Sequence, residues 1–376
     1  MKKIIKNCSF FLMVGLLTSC QVQPNKVELK DYIDESLSFK ENFTICSLND
    51  IHLSFLSDLK TDFEYLETVI YSRCQTEGLT KDEAKPDMLV LNGDVFMDAN
   101  KRTVTEFFKF IDSLNIPFAY TYGNHDLQGL YGETFIDSQI KKCKNSLLKN
   151  PKDNVFGDSN YVVNIKDGVN TKWQIYMFDS NTYANFAYDN IHEDQIEWYK
   201  KQIRLANGLE ENVNNVTSNS TIPSLAYFHI PLEEFEEAWE ENGRTVSGKN
   251  GASVWRMEEG IGNGGKTNSL FETMTDFRST VGVICAHDHI NNSDFHYSKP
   301  GLVNTKDSHV EDFPIRLIYG EKSSRNIYHN PFLMGGVFVT LSDMDNTFKL
   351  KRIHVDYDLN AREFLDEDLV RGYFND

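Results

Sequence analysis

The sequence predicts an α/β layer structure, on three observations. Short apolar runs of strand length alternate with segments of helical spacing through the first half of the 376-residue chain. The runs end at clusters of Asp, Asn and His, and in open α/β sheets the carboxyl ends of the strands are where ligands bind. Apolar residues make up 40% and aromatic residues 12%, which allows a sizeable core and excludes global disorder.

The elements follow in order. Lys2, Lys3 and Lys6 precede an apolar stretch at 10–17 that is too short to span a bilayer. It ends in Leu17-Thr18-Ser19-Cys20, which resembles the bacterial lipobox; in a bacterial host the resemblance implies a lipid on Cys20. Residues 1–20 are then a leader and 21–40 a polar tether, and the protein is exported and held on the cell-envelope membrane by its acyl chains. The alternative is an ordinary cleaved signal peptide and secretion. Residues 41–358 form the main domain and 359–376 a C-terminal tail.

Residues 43–48 read as a strand ending at Asn49-Asp50. Phe63, Leu66, Val69 and Ile70 have helical spacing, 88–91 is a second strand ending at Asn92-Gly93-Asp94, and Phe107, Phe110, Ile111 and Leu114 mark another helix. A third strand at 116–120 ends at Gly123-Asn124-His125-Asp126. Residues 161–165 and 173–178 read as a strand pair around the Asp167-Gly168 turn, followed by a polar helix over 192–206. Residues 207–222 read as a surface loop, 224–228 as a strand ending at His229, and the glycine-rich stretch 241–268 as a long irregular excursion. A strand at 281–285 ends at Ala286-His287-Asp288-His289, and period-two alternation returns at 315–319, 336–341 and 348–355.

Six cysteines fall to four once Cys8 and Cys20 go to the leader, and no CxxC spacing supports a zinc ribbon. Cys46 and Cys285 lie in apolar runs and read as buried free thiols. The formal charge of −18 disfavours nucleic-acid partners, yet an anionic ester still reaches an acidic protein whose site holds cations.

The strand ends supply five clusters: Asp50-Ile51-His52, Gly93-Asp94, Gly123-Asn124-His125-Asp126, His229, and His287-Asp288-His289. Carboxylate, imidazole and amide oxygen together suit Zn, Fe, Mn or Co better than calcium or copper. Seven such groups can hold two ions if one carboxylate bridges. Two ions about 3.5–4 Å apart polarise a phosphoryl oxygen and lower the pKa of water.

The five clusters in this order resemble the calcineurin-like metallophosphoesterase superfamily, whose pattern runs D-x-H, G-D, G-N-H-D/E, H, G-H-x-H. The resemblance implies a four-layer α/β/β/α sandwich of two mixed sheets flanked by helices. It implies that Asp50, His52 and His289 hold one divalent ion, Asn124, His229 and His287 a second, and Asp94 bridges them. His125 then contacts the phosphate and protonates the leaving group, and Asp126 orients the His125 imidazole. Ala286 stands where the family has glycine.

Phe178-Asp179-Ser180-Asn181, 195–198, 228–232 and 286–291 are most similar to phosphatases related to purple acid phosphatases that lack the large N-terminal domain. Met97 stands where purple enzymes carry a tyrosine ligand, so no purple colour is expected. The function implied is metal-dependent phosphate-ester hydrolysis, monoesters favoured. The alternatives are a phosphodiesterase on the same centre and a surface binding protein with a decayed site. Lys322 and Arg325, on a late loop, read equally as substrate contacts or as a solvated turn.

Overall fold

The computed structural model describes residues 35–128, 131–148, 155–184, 186–299 and 313–370. The leader, the Cys20 lipobox and most of the tether lie outside these residues. Among the described residues, no helix is long and apolar enough to cross a membrane.

From the N-terminal side come strands β1 (Glu35–Ser38) and β2 (Thr44–Leu48), helices α1 (Leu59–Ile70), α2 (Arg73–Thr76) and α3 (Lys81–Ala84), and strand β3 (Met88–Asn92). Next are α4 (Lys101–Ser113), β4 (Phe118–Thr121), α5 (Gly132–Ile140), β5 (Tyr161–Asp167) and β6 (Asn170–Met177). The middle holds the ribbon β7 (Tyr183–Ala184) and β8 (Ala187–Tyr188), then α6 (Glu193–Asn207), β9 (Ser224–Tyr227), α7 (Glu233–Glu241) and the hairpin β10 (Ser247–Asn250) and β11 (Ser253–Arg256). The last third contains α8 (Leu270–Phe277), β12 (Thr280–Cys285), β13 (Asp294–Tyr297), β14 (Ile315–Tyr319), β15 (Gly335–Leu341), β16 (Phe348–Val355) and β17 (Ala361–Glu363).

Two mixed sheets carry the fold. One has six strands in the order β17-β16-β15-β2-β3-β4, the other seven in the order β1-β5-β6-β9-β12-β14-β13. Strand alternation explains how they stack. In the seven-stranded sheet, Val163, Ile165, Ile175, Met177, Leu225, Tyr227, Ile284 and Ile318 join the core shared with the six-stranded sheet. Their sequence neighbours Val162, Tyr176, Phe178, Ala226, Phe228, Val283, Cys285, Leu317 and Tyr319 point the other way, into a second core with Ile196 and Tyr199 of α6, Phe235 of α7 and Phe271 and Met274 of α8. Helices α1 and α4 pack on the six-stranded sheet through Leu66, Val69, Ile70, Val104, Phe107 and Ile111. Each such side chain contributes about 1.5–3 kcal/mol by burial. The result is the expected α/β/β/α sandwich.

Differences from the sequence reading are local. Residues 35–38, assigned by composition to the tether, form β1, which pairs parallel with β5. The excursion at 241–268 contains the hairpin β10–β11, with Gly248 paired to Trp255. Helices α5, α7 and α8 lie outside the helical segments read from the sequence; at nine, nine and eight residues they offer too few turns for a clear periodicity. Cys46, Cys74, Cys143 and Cys285 are all free, and Cys46 and Cys285 are buried as expected.

Candidate metal centre

Strands β2, β3 and β4 run parallel, as do β6, β9, β12 and β14, so both sheets deliver their strand ends to one edge of the sandwich. All five sequence clusters lie there. Oxygen and nitrogen atoms of Asp50, His52 and His289 come within 4.8 Å of one another, as do those of Asp94, His229 and His287, and those of His52, Asp94 and His125.

The backbone is bent to make this possible. Asp50, His52, Asp94 and His287 have φ of 51°, 53°, 50° and 82°, the left-handed region that costs a non-glycine residue about 1–3 kcal/mol and concentrates at functional sites. Backbone bonds hold the turns together: His52 N–H donates to Asp94 O (2.9 Å) and Leu53 N–H to Val95 O (2.9 Å). Gly93 and Gly123 make room. A Cβ at Gly93 would lie 2.5 Å from His229 Nδ1, and one at Gly123 would lie 2.2 Å from Asp94 Oδ1. Ala286 has no such requirement; its φ is not left-handed and its N–H donates to His229 O (3.0 Å).

Asp50, Asp94, His229 and His289 are each aimed by a second bond. The His125 N–H binds Asp94 Oδ1 (2.7 Å), which turns Oδ2 toward His52 Nε2 and His229 Nε2, each 3.2 Å away. The Nδ1 atoms of His229 and His289 lie 3.0 Å from Asn92 O and 3.1 Å from Tyr328 O, so both rings donate there and present Nε2 to the site. The Asp50 Oδ2 accepts from His287 N–H (3.2 Å), leaving Oδ1 3.5 Å from His289 Nε2.

Burial polarises these groups. It raises Asp50 to about 6 and lowers His52 to about 4 and His287 to about 3. It would lower His229 too, but Asp94 and Asp50 outweigh it and hold His229 up at about 9. Burial alone would raise Asp94, yet His229 and His52 pull it well below the carboxylate range.

Asp50 Oδ1, His52 Nε2, His229 Nε2 and both amide atoms of Asn124 are buried without a hydrogen-bond partner. Each such atom costs about 1–3 kcal/mol if left unmade. Four of them, all but the Asn124 NH2, are lone-pair atoms converging on one edge; they fit a site for divalent cations, and the oxygen and imidazole donors match the borderline metals.

His125 is half-buried, its Nδ1 3.1 Å from Gln128 Oε1. Asp126 departs from its expected role. Its carboxylate accepts from Phe96 N–H (2.8 Å) and Gly123 N–H (2.9 Å), so it staples the turns after β3 and β4, and Gln128 is the partner of the His125 ring. Lys322 and Arg325 both bond to the chain itself, and Lys322 is not part of a solvated turn. Lys322 is buried with its Nζ on Asp50 O (2.6 Å), and Arg325 donates to Tyr357 O (3.2 Å). Sequence reasoning missed Tyr188, whose ring meets His287 edge-on at 4.3 Å, and Tyr328, stacked on His289 at 4.2 Å; neither lies in a motif.

The calcineurin-like phosphoesterase family model matches residues 43–291, which include all five clusters. The chain belongs to that family. Among its relatives, "Probable inactive purple acid phosphatase 14" of Arabidopsis thaliana is 25% identical over 311 residues, covering 75% of both chains. "Probable inactive purple acid phosphatase 29" of the same plant is 28% identical over 226 residues, covering 55% of this calcineurin-like chain and 55% of its own length. Among solved structures, a 5′-nucleotidase from Candida albicans SC5314 aligns with a TM-score of 0.40 at 11% identity, covering 91% of this chain and 57% of that one.

Proposed function

We propose that this phosphoesterase hydrolyses phosphate esters, monoesters by preference, at a pair of divalent ions. Asp50, His52 and His289 hold one ion, Asn124, His229 and His287 the other, and Asp94 reaches both. The observation that carries the reading is the buried cluster of Asp50, His52, Asp94 and His229 ligand atoms, with the Asp50 Oδ1 and Asn124 Oδ1 atoms left without a hydrogen-bond partner. Ions bound there supply Lewis acidity toward the phosphoryl oxygens and a water of lowered pKa.

The chain's own residues do the rest. The left-handed turns fix the donors before substrate arrives, so little reorganisation remains at the moment of reaction. Half-exposed His125, beside His52 and Asp94, is placed to give a proton to the departing alkoxide. Gln128 holds the His125 ring by its Nδ1. The relatives' names bear on the rival reading, a binding protein with a decayed site. Against it stands the complete donor set, since a decayed site has no reason to keep Asp94 and Asn124 together.

The test uses p-nitrophenyl phosphate and bis(p-nitrophenyl) phosphate side by side, before and after chelation. Chelation is expected to abolish hydrolysis, and Mn, Zn, Co or Fe to restore it with the monoester faster. Full activity in thoroughly stripped protein overturns the proposal. Ion uptake should weaken as pH falls below about 9, where the proton on His229 must be displaced.

A further inference from the structure

We infer that residues 322–328, the segment after β14, support one half of the metal centre and set its affinity separately from the other half. The inference rests on the two-ion reading above. Three side chains of this segment grip the turn that carries Asp50 and His52. Lys322 Nζ donates to Asp50 O (2.6 Å) and lies 3.4 Å from His52 Nδ1. Ser324 Oγ donates to the same Asp50 carbonyl (3.3 Å), and Asn326 Nδ2 donates to Ile51 O (3.1 Å). These bonds fix the carbonyls of a turn whose φ values of 51° and 53° are otherwise unfavourable.

The segment then reaches the third donor of the same cluster. Ile327 has φ 51°, a marked departure for a β-branched residue. Beyond that bend, Tyr328 meets His289 twice: its carbonyl lies 3.1 Å from His289 Nδ1 and its ring lies on the imidazole at 4.2 Å and 27°. The Tyr328 hydroxyl donates to Glu259 Oε2 (3.1 Å), and Glu259 Oε1 accepts from Ile290 N–H (2.9 Å), which ties the stack to the backbone beside His289. One segment therefore touches Asp50, His52 and His289. The other half takes its supports elsewhere, His229 from Asn92 O and His287 from the Tyr188 ring, while Asp94, between the two, is held by His125 N–H.

Partners that orient metal-binding side chains are worth about 10–100-fold in affinity. The experiment titrates the full chain with Mn(II) against a competing chelator, counts ions by elemental analysis, and extracts two dissociation constants. Tyr328→Ala, which removes the stacked ring but keeps the carbonyl on His289 Nδ1, and Asn326→Ala, which frees Ile51 O, are expected to weaken one constant by about 10-fold, the low end of that range, and leave the other in place. Tyr328→Phe, which keeps the stacked ring, should stay near the parent, and Tyr188→Ala should move the other constant. Tyr328 is 48% exposed, so its truncation leaves the core intact, and far-UV circular dichroism with melting temperature checks this. Tyr328→Ala and Asn326→Ala proteins that are folded but lose both ions together, or neither, overturn the inference. A parent that binds no Mn(II) overturns the two-ion reading instead.

Discussion

The two sheets arm the site in different ways. The six-stranded sheet supplies Asp50, His52, Asp94, Asn124, His125 and Asp126 from three consecutive parallel strands, and their turns are fastened to one another through the backbone and the Asp126 carboxylate. The seven-stranded sheet supplies imidazoles, and their aim is borrowed: His229 is turned by Asn92 of the opposite sheet, His289 by Tyr328. One half is a rigid, acidic frame, and the other is a set of rings positioned against it. Damage at Asp94, which faces both sides of the site, should therefore spread to both ions, whereas damage to a ring or its neighbour should stay local.

Asp94→Asn attacks the frame at its centre and should have the largest effect. The carboxylate faces His52 on one side and His229 on the other, at 3.2 Å each. Both ions should be lost by elemental analysis, and hydrolysis should fall by about 10⁴-fold or more, the several kcal/mol that metal ions contribute. An Asp94→Asn protein retaining two ions would erase the distinction between frame and rings.

His125→Asn comes next. It should keep close to two ions and lose about 10²–10⁴-fold in turnover on an alkyl ester, with a smaller loss on an aryl ester whose leaving group needs less protonation. Equal losses on both esters would remove the proton-donor role. Loss of metal would make His125 a ligand.

Asp126→Asn should have the smallest effect on chemistry and a clear one on stability. The amide nitrogen of Asn would face one of the two buried N–H groups, of Phe96 or Gly123, that the carboxylate now accepts. A cost of about 1–3 kcal/mol is expected, read as a lower urea midpoint at unchanged slope. Unchanged stability would mean that the turns after β3 and β4 are held by the backbone alone.

The same asymmetry explains what the sequence made legible. Strands β2, β3 and β4 are short, fully buried, mostly apolar and each followed by a motif, so their order and function could be read together. The donors on β9 and β12 were legible only through their place in that order; nothing near His229 announces that Asn92 will aim it. The role expected of Asp126 failed because adjacency in sequence is no guide to where a side chain points. Its carboxylate turned inward to two amides, and the ring of His125 turned outward to Gln128. Tyr328 and Lys322 were out of reach for a similar reason. Their partners lie 39 and 272 residues away, at His289 and Asp50 respectively.

Strand β1 has a practical consequence. It pairs along β5 from Glu35 opposite Val163 to Ser38 opposite Lys166. Beneath it, β5 is apolar on both faces, with Val163 and Ile165 toward one core and Val162 toward the other. A protein trimmed at residue 40, just past the segment that composition marks as a tether, would expose a row of free amides and carbonyls on a hydrophobic strand. Such an edge is a template for pairing with another copy. The solubility of any shortened form thus depends on four residues that look expendable in the sequence.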